Sequence, residues 1–162
     1  MSPTRAQELL QAPGLAVLGV GSVLVQVRVG ALTAARLEEI AAIIRKVVQT
    51  TPGPWGYLSV LAEGSPLPDA SLRRAQRNLI RTELEGRDAR VAVLIEGSGV
   101  VATLARAAAR LIVPGHGAIR IAQDVQEAVE WIGGLLRDVR ADDVRQAVER
   151  GRQLASQQHP PA

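Results

Sequence analysis

The chain has 162 residues, enough for one domain whose core needs no staples, and room for two domains at most. It carries 19 Lys and Arg against 16 Asp and Glu, a net charge of +3, and it has no cysteine. That composition excludes disulfides, thiolate catalysis and thiolate metal centres, and it gives no reason to expect nucleic acid.

The sequence pI of about 10.5 is no sign of a polyanionic partner. Tyr57 is the one tyrosine and Lys46 the one lysine, so little titrates between neutrality and pH 10 and a small Arg excess moves the pI far. All but one of the basic residues are Arg, and Ala and Gly are abundant, a bias that fits a high-GC bacterial genome. Phe is absent, so Val, Leu, Ile and Ala must fill the core. Residues 1–11 lack the apolar centre of a signal peptide, and no apolar run reaches the ~20 residues of a membrane span. The expectation is a cytoplasmic protein with no transmembrane segment.

Residues 1–13 are polar with two prolines and read as a flexible arm or a short helix. Leu15–Val20 and Val23–Val29 follow as two strands joined at Gly21-Ser22, a hairpin turn that glycine permits. The second strand alternates, as a strand with one wetter face does. Thr33 caps a helix to about Gln49 with Leu37, Ile40, Ile44, Val47 and Val48 on one side, and Pro52-Gly53-Pro54 stops it. Trp55–Ala62 is a strand, and Asp69 opens a helix to about 85 with Leu72, Ala75, Leu79 and Ile80 inward. Arg90–Ile95 is a continuous apolar strand of the kind buried on both faces.

Ser98 then opens an Ala-rich helix to about Leu111, ended by Pro114-Gly115. Ala118–Ala122 is a short strand. Asp124, with Glu127 three residues on, resembles a capping box for a helix through Trp131 and Ile132. Residues 138–157 form an additional helix with a thin apolar stripe at Val144, Val148 and Gly151, free to dock, to pair with another subunit or to move. Residues 158–162 are a tail. The order β-β-α-β-α-β-α-β-α predicts an α/β fold with a mixed, mostly parallel sheet of about five strands.

This order, with Val91-Ala-Val-Leu-Ile-Glu-Gly-Ser-Gly99, the small-residue helix 102–109, the short strand 118–122 and Ala128-Val-Glu-Trp-Ile132, resembles the SpoIIAA-like STAS/SEC14 group of small bacterial proteins. The resemblance covers roughly residues 15–137, within a domain bounded at 14 and 137. It implies a noncatalytic interaction or regulatory module, or a binder of a small anionic ligand or lipid. The better-understood relatives are anti-sigma-factor antagonists, switched by phosphorylating a serine in an Asp-Ser-(Ser or Thr)-Gly motif. The corresponding stretch here, Glu63 to Ser71, does not match that motif, so the phosphoswitch is not carried over.

The sharpest internal feature is a near repeat, Val60-Leu-Ala-Glu-Gly-Ser65 and Val93-Leu-Ile-Glu-Gly-Ser98. If the two strands are parallel neighbours, Glu63 and Glu96 leave one sheet edge, about 5 Å apart by strand spacing. Carboxylates that close share a proton or hold a hard cation; equally, strand ends need a glycine to turn, and Glu is common beside one. With Ser65, these residues and Gly97-Ser98-Gly99 form the predicted ligand edge. The glycine turn can offer backbone N–H groups to an anion, or Ser98 can serve as the helix cap.

Arg73, Arg74, Arg77 and Arg81 form a basic stripe suited to acidic surfaces or lipid phosphates, or simply a solvated face. The stripe lacks the interleaved aromatics that hold single strands, which argues against nucleic acid. His116 reads as a turn residue about 20 Å from Ser98, across one helix, and His159 lies in the tail, so no nucleophile–base pair forms. No catalytic residue, metal ligand set or cofactor is expected. The partner is expected to be a protein of unknown identity, with a homodimer as one form, or else a small anionic ligand.

Overall fold

Pairing of the apolar runs accounts for the architecture. In the computed structural model, which describes residues 5–84, 87–112 and 117–157, six strands form one sheet in chain order. They are β1 (Gln7–Ala12), β2 (Leu15–Val20), β3 (Val23–Arg28), β4 (Trp55–Leu61), β5 (Ala89–Ile95) and β6 (Ile119–Ala122). The first three pair antiparallel, and β3 through β6 pair parallel. The helices are α1 (Ala34–Thr50), α2 (Ala70–Leu84), α3 (Val100–Ile112), α4 (Val125–Gly133) and α5 (Ala141–Gln157). This is the mixed, mostly parallel α/β fold expected from the sequence.

The sheet has one strand more than the five expected. Residues 7–12, read as part of a flexible arm, form the edge strand β1, with Leu10 opposite Val17 and Ala12 opposite Leu15. An edge strand meets the core on one side only, so Gln7, Glu8 and Gln11 remain exposed and the segment looks polar. Its register shifts between Glu8 and Leu10, a bulge of the kind that discourages pairing with a further chain.

Local signals set the helix ends. The Thr33 hydroxyl accepts from the Arg36 amide at 3.2 Å, and the Asp124 carboxylate accepts from the Glu127 amide at 2.8 Å. Glu127 reaches back to the Gln123 amide at 2.8 Å. Each cap contributes about 1 kcal/mol. The start of α3 differs from expectation. Its first turn closes on Gly99, whose carbonyl accepts from the Thr103 amide at 3.1 Å, and Ser98 lies exposed one residue outside. His116 and His159 lie outside the described residues.

Because strand side chains alternate, the sheet has two unlike faces. One carries Val23, Val25, Val27, Leu58, Val60, Ala92 and Leu94 under α4 and α5. The surplus helix docks here: α5 buries Val144, Ala147, Val148, Gly151, Leu154 and Ala155, over β2 and β3. Its approach is close, since a Cβ at Gly151 would lie 2.6 Å from Val27 Cγ2 and 3.1 Å from Leu18 Cδ1. At Gly56 a Cβ would lie 2.5 Å from Ile132 Cγ2 of α4. Trp131 ties α4 to the sheet: its indole N–H donates to the Val91 carbonyl at 3.2 Å, and Arg90 and Arg120 each stack 4.4 Å from its ring centre.

Gly151→Ala separates helix propensity from packing. Propensity alone would give a gain of roughly 1 kcal/mol. Overpacking against Val27 costs about 1–3 kcal/mol. Urea denaturation of the variant is expected to show a net loss of stability, and a gain would mean that α5 does not sit on β3 this closely.

Candidate functional site

The opposite face presents Leu24, Gln26 and Arg28 from β3, Trp55, Tyr57, Ser59 and Leu61 from β4, and Val91, Val93 and Ile95 from β5. Helix α1 covers part of it with Leu37, Ile40 and Ile44. Helix α2 leans on α1. Its Leu79 and Ile80, with Ala105 and Ala109 of α3, roof a cavity of about 130 Å³ over β3, β4 and β5. An apolar cavity of this order accepts a body near the size of benzene.

The cavity wall is apolar toward one end of the strands and polar toward the other. Trp55 opens β4, and Arg28 lies opposite Leu61 at its close, six residue steps or about 20 Å along the strand. Gln26 lies opposite Ser59, and the Tyr57 hydroxyl donates a short hydrogen bond to Gln26 Oε1. The polar groups therefore collect toward the carboxyl end of the parallel strands, where α/β folds most often take ligands. At the rim, Leu67 is 45% exposed, and half-buried Arg73 donates to the Pro68 carbonyl at 2.8 Å. Glu83, also on the wall, lies 3.6 Å from Arg45.

Arg28 is the unusual group. It is 2% exposed, and among the described residues no carboxylate pairs with it. Its Nη1 donates to the carbonyls of Gly30 at 2.9 Å and Pro66 at 2.8 Å, and its Nε is buried with no acceptor. Burial holds the guanidinium below its ordinary pKa, with Tyr57 opposing the shift. It stays charged at neutral pH, because an arginine keeps its proton in proteins. Burial also pushes the Tyr57 phenol well above its ordinary range, against the pull of Arg28, so the hydroxyl is a neutral donor. A buried cation without a counter-charge costs several kcal/mol. Trp55 Nε1, at the other end, is a second buried donor without an acceptor.

Apart from Arg73, the residues picked out by sequence do not line this cavity. The strands β4 and β5 are parallel neighbours, as the repeat requires, but Val60 faces Leu94 and not Val93. A one-residue offset in a strand sends side chains to opposite faces. Glu96 accordingly turns to α5 and pairs with Arg152, which also binds Glu149. The Glu63 side chain lies against Gly97, where a Cβ would come within 2.9 Å of its Cγ. The two glutamates thus do not face each other as the aligned repeat would have them.

Ser65 donates to the Arg28 backbone carbonyl at 3.0 Å and so fixes the loop beside the guanidinium. In the Gly97-Ser98-Gly99 turn it is a carbonyl that is engaged: Arg106 donates to the carbonyls of Ile95 at 2.8 Å and Gly97 at 2.7 Å. Arg74, Arg77 and Arg81 are exposed on α2, while Arg73 alone of the four reaches the cavity wall. Among the described residues no group of three or more His, Cys, Asp or Glu could hold a metal.

Sequence reasoning missed Gln26, Arg28, Tyr57 and Ser59. For Gln26 and Arg28 the signal was present as the alternation in Val23–Val29, read as one wetter face. With helices over both faces that alternation means a polar cavity wall, and Gln26 is in fact 4% exposed.

No family model matches the chain, and no curated protein matches it. Among solved structures, it is similar to the crystal structure of an uncharacterised protein of the DUF3478 family with a SpoIIAA-like fold from Shewanella loihica PV-4. The two share 16% identity over 82% of this chain and 98% of that one, with a TM-score of 0.47.

Proposed function

We propose that this chain is a noncatalytic, STAS-like binding module that holds a small, largely apolar molecule between its sheet and helices α1 to α3. The observation that carries the reading is the cavity of about 130 Å³, apolar along most of its length and polar at one end. Binding sites for small molecules have that makeup, an apolar lining with a few placed polar groups. Noncatalytic behaviour fits the chemistry of the wall. Its polar groups are the amides of Gln26 and Gln76, the guanidiniums of Arg28 and Arg73, a neutral phenol, the Glu83 carboxylate beside Arg45, and Ser59, a hydroxyl with no base bonded to it among the described residues.

Trp55 lines the cavity and is one of only two tryptophans, so Trp131→Phe leaves it as the sole reporter. Titrating that variant with 1-hexanol or hexanoate is expected to change Trp55 emission saturably and to raise the melting temperature. Ala105→Leu, which fills the cavity from α3, is expected to weaken binding at least tenfold while the fold persists. No saturable response to either probe would overturn the reading.

A second reading is the protein-interaction module, and one observation favours it. On the outward side of α3, Val100, Val101 and Leu104 are 75%, 80% and 62% exposed. Large aliphatic side chains grouped in this way on a helix suit a partner surface. Sedimentation analysis of the wild type and of a Val101→Asp, Leu104→Asp double variant tests for self-association. A concentration-dependent dimer that the double variant abolishes is expected on this reading, and a monomer at all concentrations removes its homodimer form.

A further inference from the structure

On the strength of the ligand-binding reading above, we infer that the ligand is a monocarboxylate with a short to medium aliphatic chain, its carboxylate on Arg28 and its chain along β4 toward Trp55. Three observations converge on the head group. Arg28 is almost wholly buried and has no counter-charge among the described residues. Its Nη1 is occupied by two backbone carbonyls, while Nε is a buried donor with no acceptor. The Gln26 Oε1 is already taken by Tyr57, which leaves the amide's N–H groups as further donors on the same wall. An acceptor-only group with one negative charge answers all three, and a planar carboxylate matches the fork of a guanidinium.

The tail follows from the shape of the site. From the level of Arg28 to Trp55 the wall runs about 20 Å along the strand direction, yet the volume is only about 130 Å³. A volume of that order holds about six carbons, the size of a short aliphatic chain that fills only part of the wall's length. Apolar side chains from α1, α2 and β5, among them Ile44, Leu79, Ile80 and Val91, line the cavity around such a chain. A phosphate head brings up to two charges to a single buried cation. Arg73, the other cation on the wall, is turned to the Pro68 carbonyl at the rim.

Calorimetric titration of the wild-type chain with four probes of equal tail length decides the matter: hexanoate, 1-hexanol, hexylamine and hexyl phosphate. Hexanoate is expected to bind at least tenfold more tightly than 1-hexanol, hexyl phosphate less tightly than hexanoate, and hexylamine not at all. Arg28→Met is expected to bind hexanoate no better than 1-hexanol, and should that variant fail to fold, the wild-type ranking suffices. Equal affinity for hexanoate and 1-hexanol overturns the carboxylate assignment while leaving the cavity a binding site. Tighter binding of hexyl phosphate, or a preference for hexanoate that survives Arg28→Met, overturns it as well. Silence from every probe removes the binding reading itself.

Discussion

Everything distinctive about this molecule follows from the central strands being covered on both faces. Strands β3, β4 and β5 pair in parallel, with α4 and α5 over one face and α1, α2 and α3 over the other. A polar residue on the most deeply covered of them, β3, is shut off from water: Gln26 and Arg28 are both buried. Gln26 and Arg28 point under α1 and α2, so their polar groups must be met by protein or by something that enters. The backbone meets part of that demand through the carbonyls of Gly30 and Pro66. The charge itself is left without a counter-charge among the described residues, which sets this face apart from a packing surface.

The two faces solve the packing problem in opposite ways. Under α4 and α5, small residues bring backbones together: Gly56 against Ile132, Gly151 against Val27, and Gly134 with a would-be Cβ only 2.5 Å from Arg90 Nη1. Polar groups there close locally, as where Ser22 donates to Asp138 at 3.3 Å and Arg152 links α5 to Glu96 beyond β5. The packing is not uniform, for a cavity of about 300 Å³ lies beside α4 and the start of α5, lined by Val129, Ile132, Leu136 and Val144. Under α2 the side chains of Leu79 and Ile80 line a cavity over β3, β4 and β5.

Much of this architecture was legible in the sequence, because its signals are local. Thr33 and Asp124 cap the helices they were expected to cap, Pro52-Gly53-Pro54 closes α1 before β4, and the run 91–95 is a strand buried at its centre. What was not legible depends on neighbours. Residues 7–12 become a strand only because β2 offers an edge. The thin stripe of α5 left docking as one of three alternatives, and it is the missing side chain of Gly151 which lets the helix settle on Val27. The repeated Glu-Gly-Ser suggested a shared acidic edge, but register is fixed by pairing over the whole strand, and it sets Val60 against Leu94, one residue out of the repeat's alignment. Arg28 was hidden for the same reason: alternation reveals that a strand has a polar side and says nothing about what lies over it.

The loose seating of α2 also bears on how a ligand would enter. Helix α2 rests on α1 and is tied at its start, where Asp69 caps Leu72 at 2.9 Å and Arg73 holds the Pro68 carbonyl. Farther along, its described ion pair is Arg45 to Glu83 at 3.6 Å, with Arg45 half exposed, a contact of the kind that contributes little. Elements with few buried contacts open at a lower free-energy cost than the whole domain. A swing of α2 about its anchored start would widen the space over β4 and β5 without disturbing the dense face below. The loop before α2 supplies Ser65 and the Pro66 carbonyl, both bonded to Arg28. The guanidinium is therefore held from the same segment from which the covering helix springs, so a charge seated on Arg28 would act directly on the anchor of the element that closes over it.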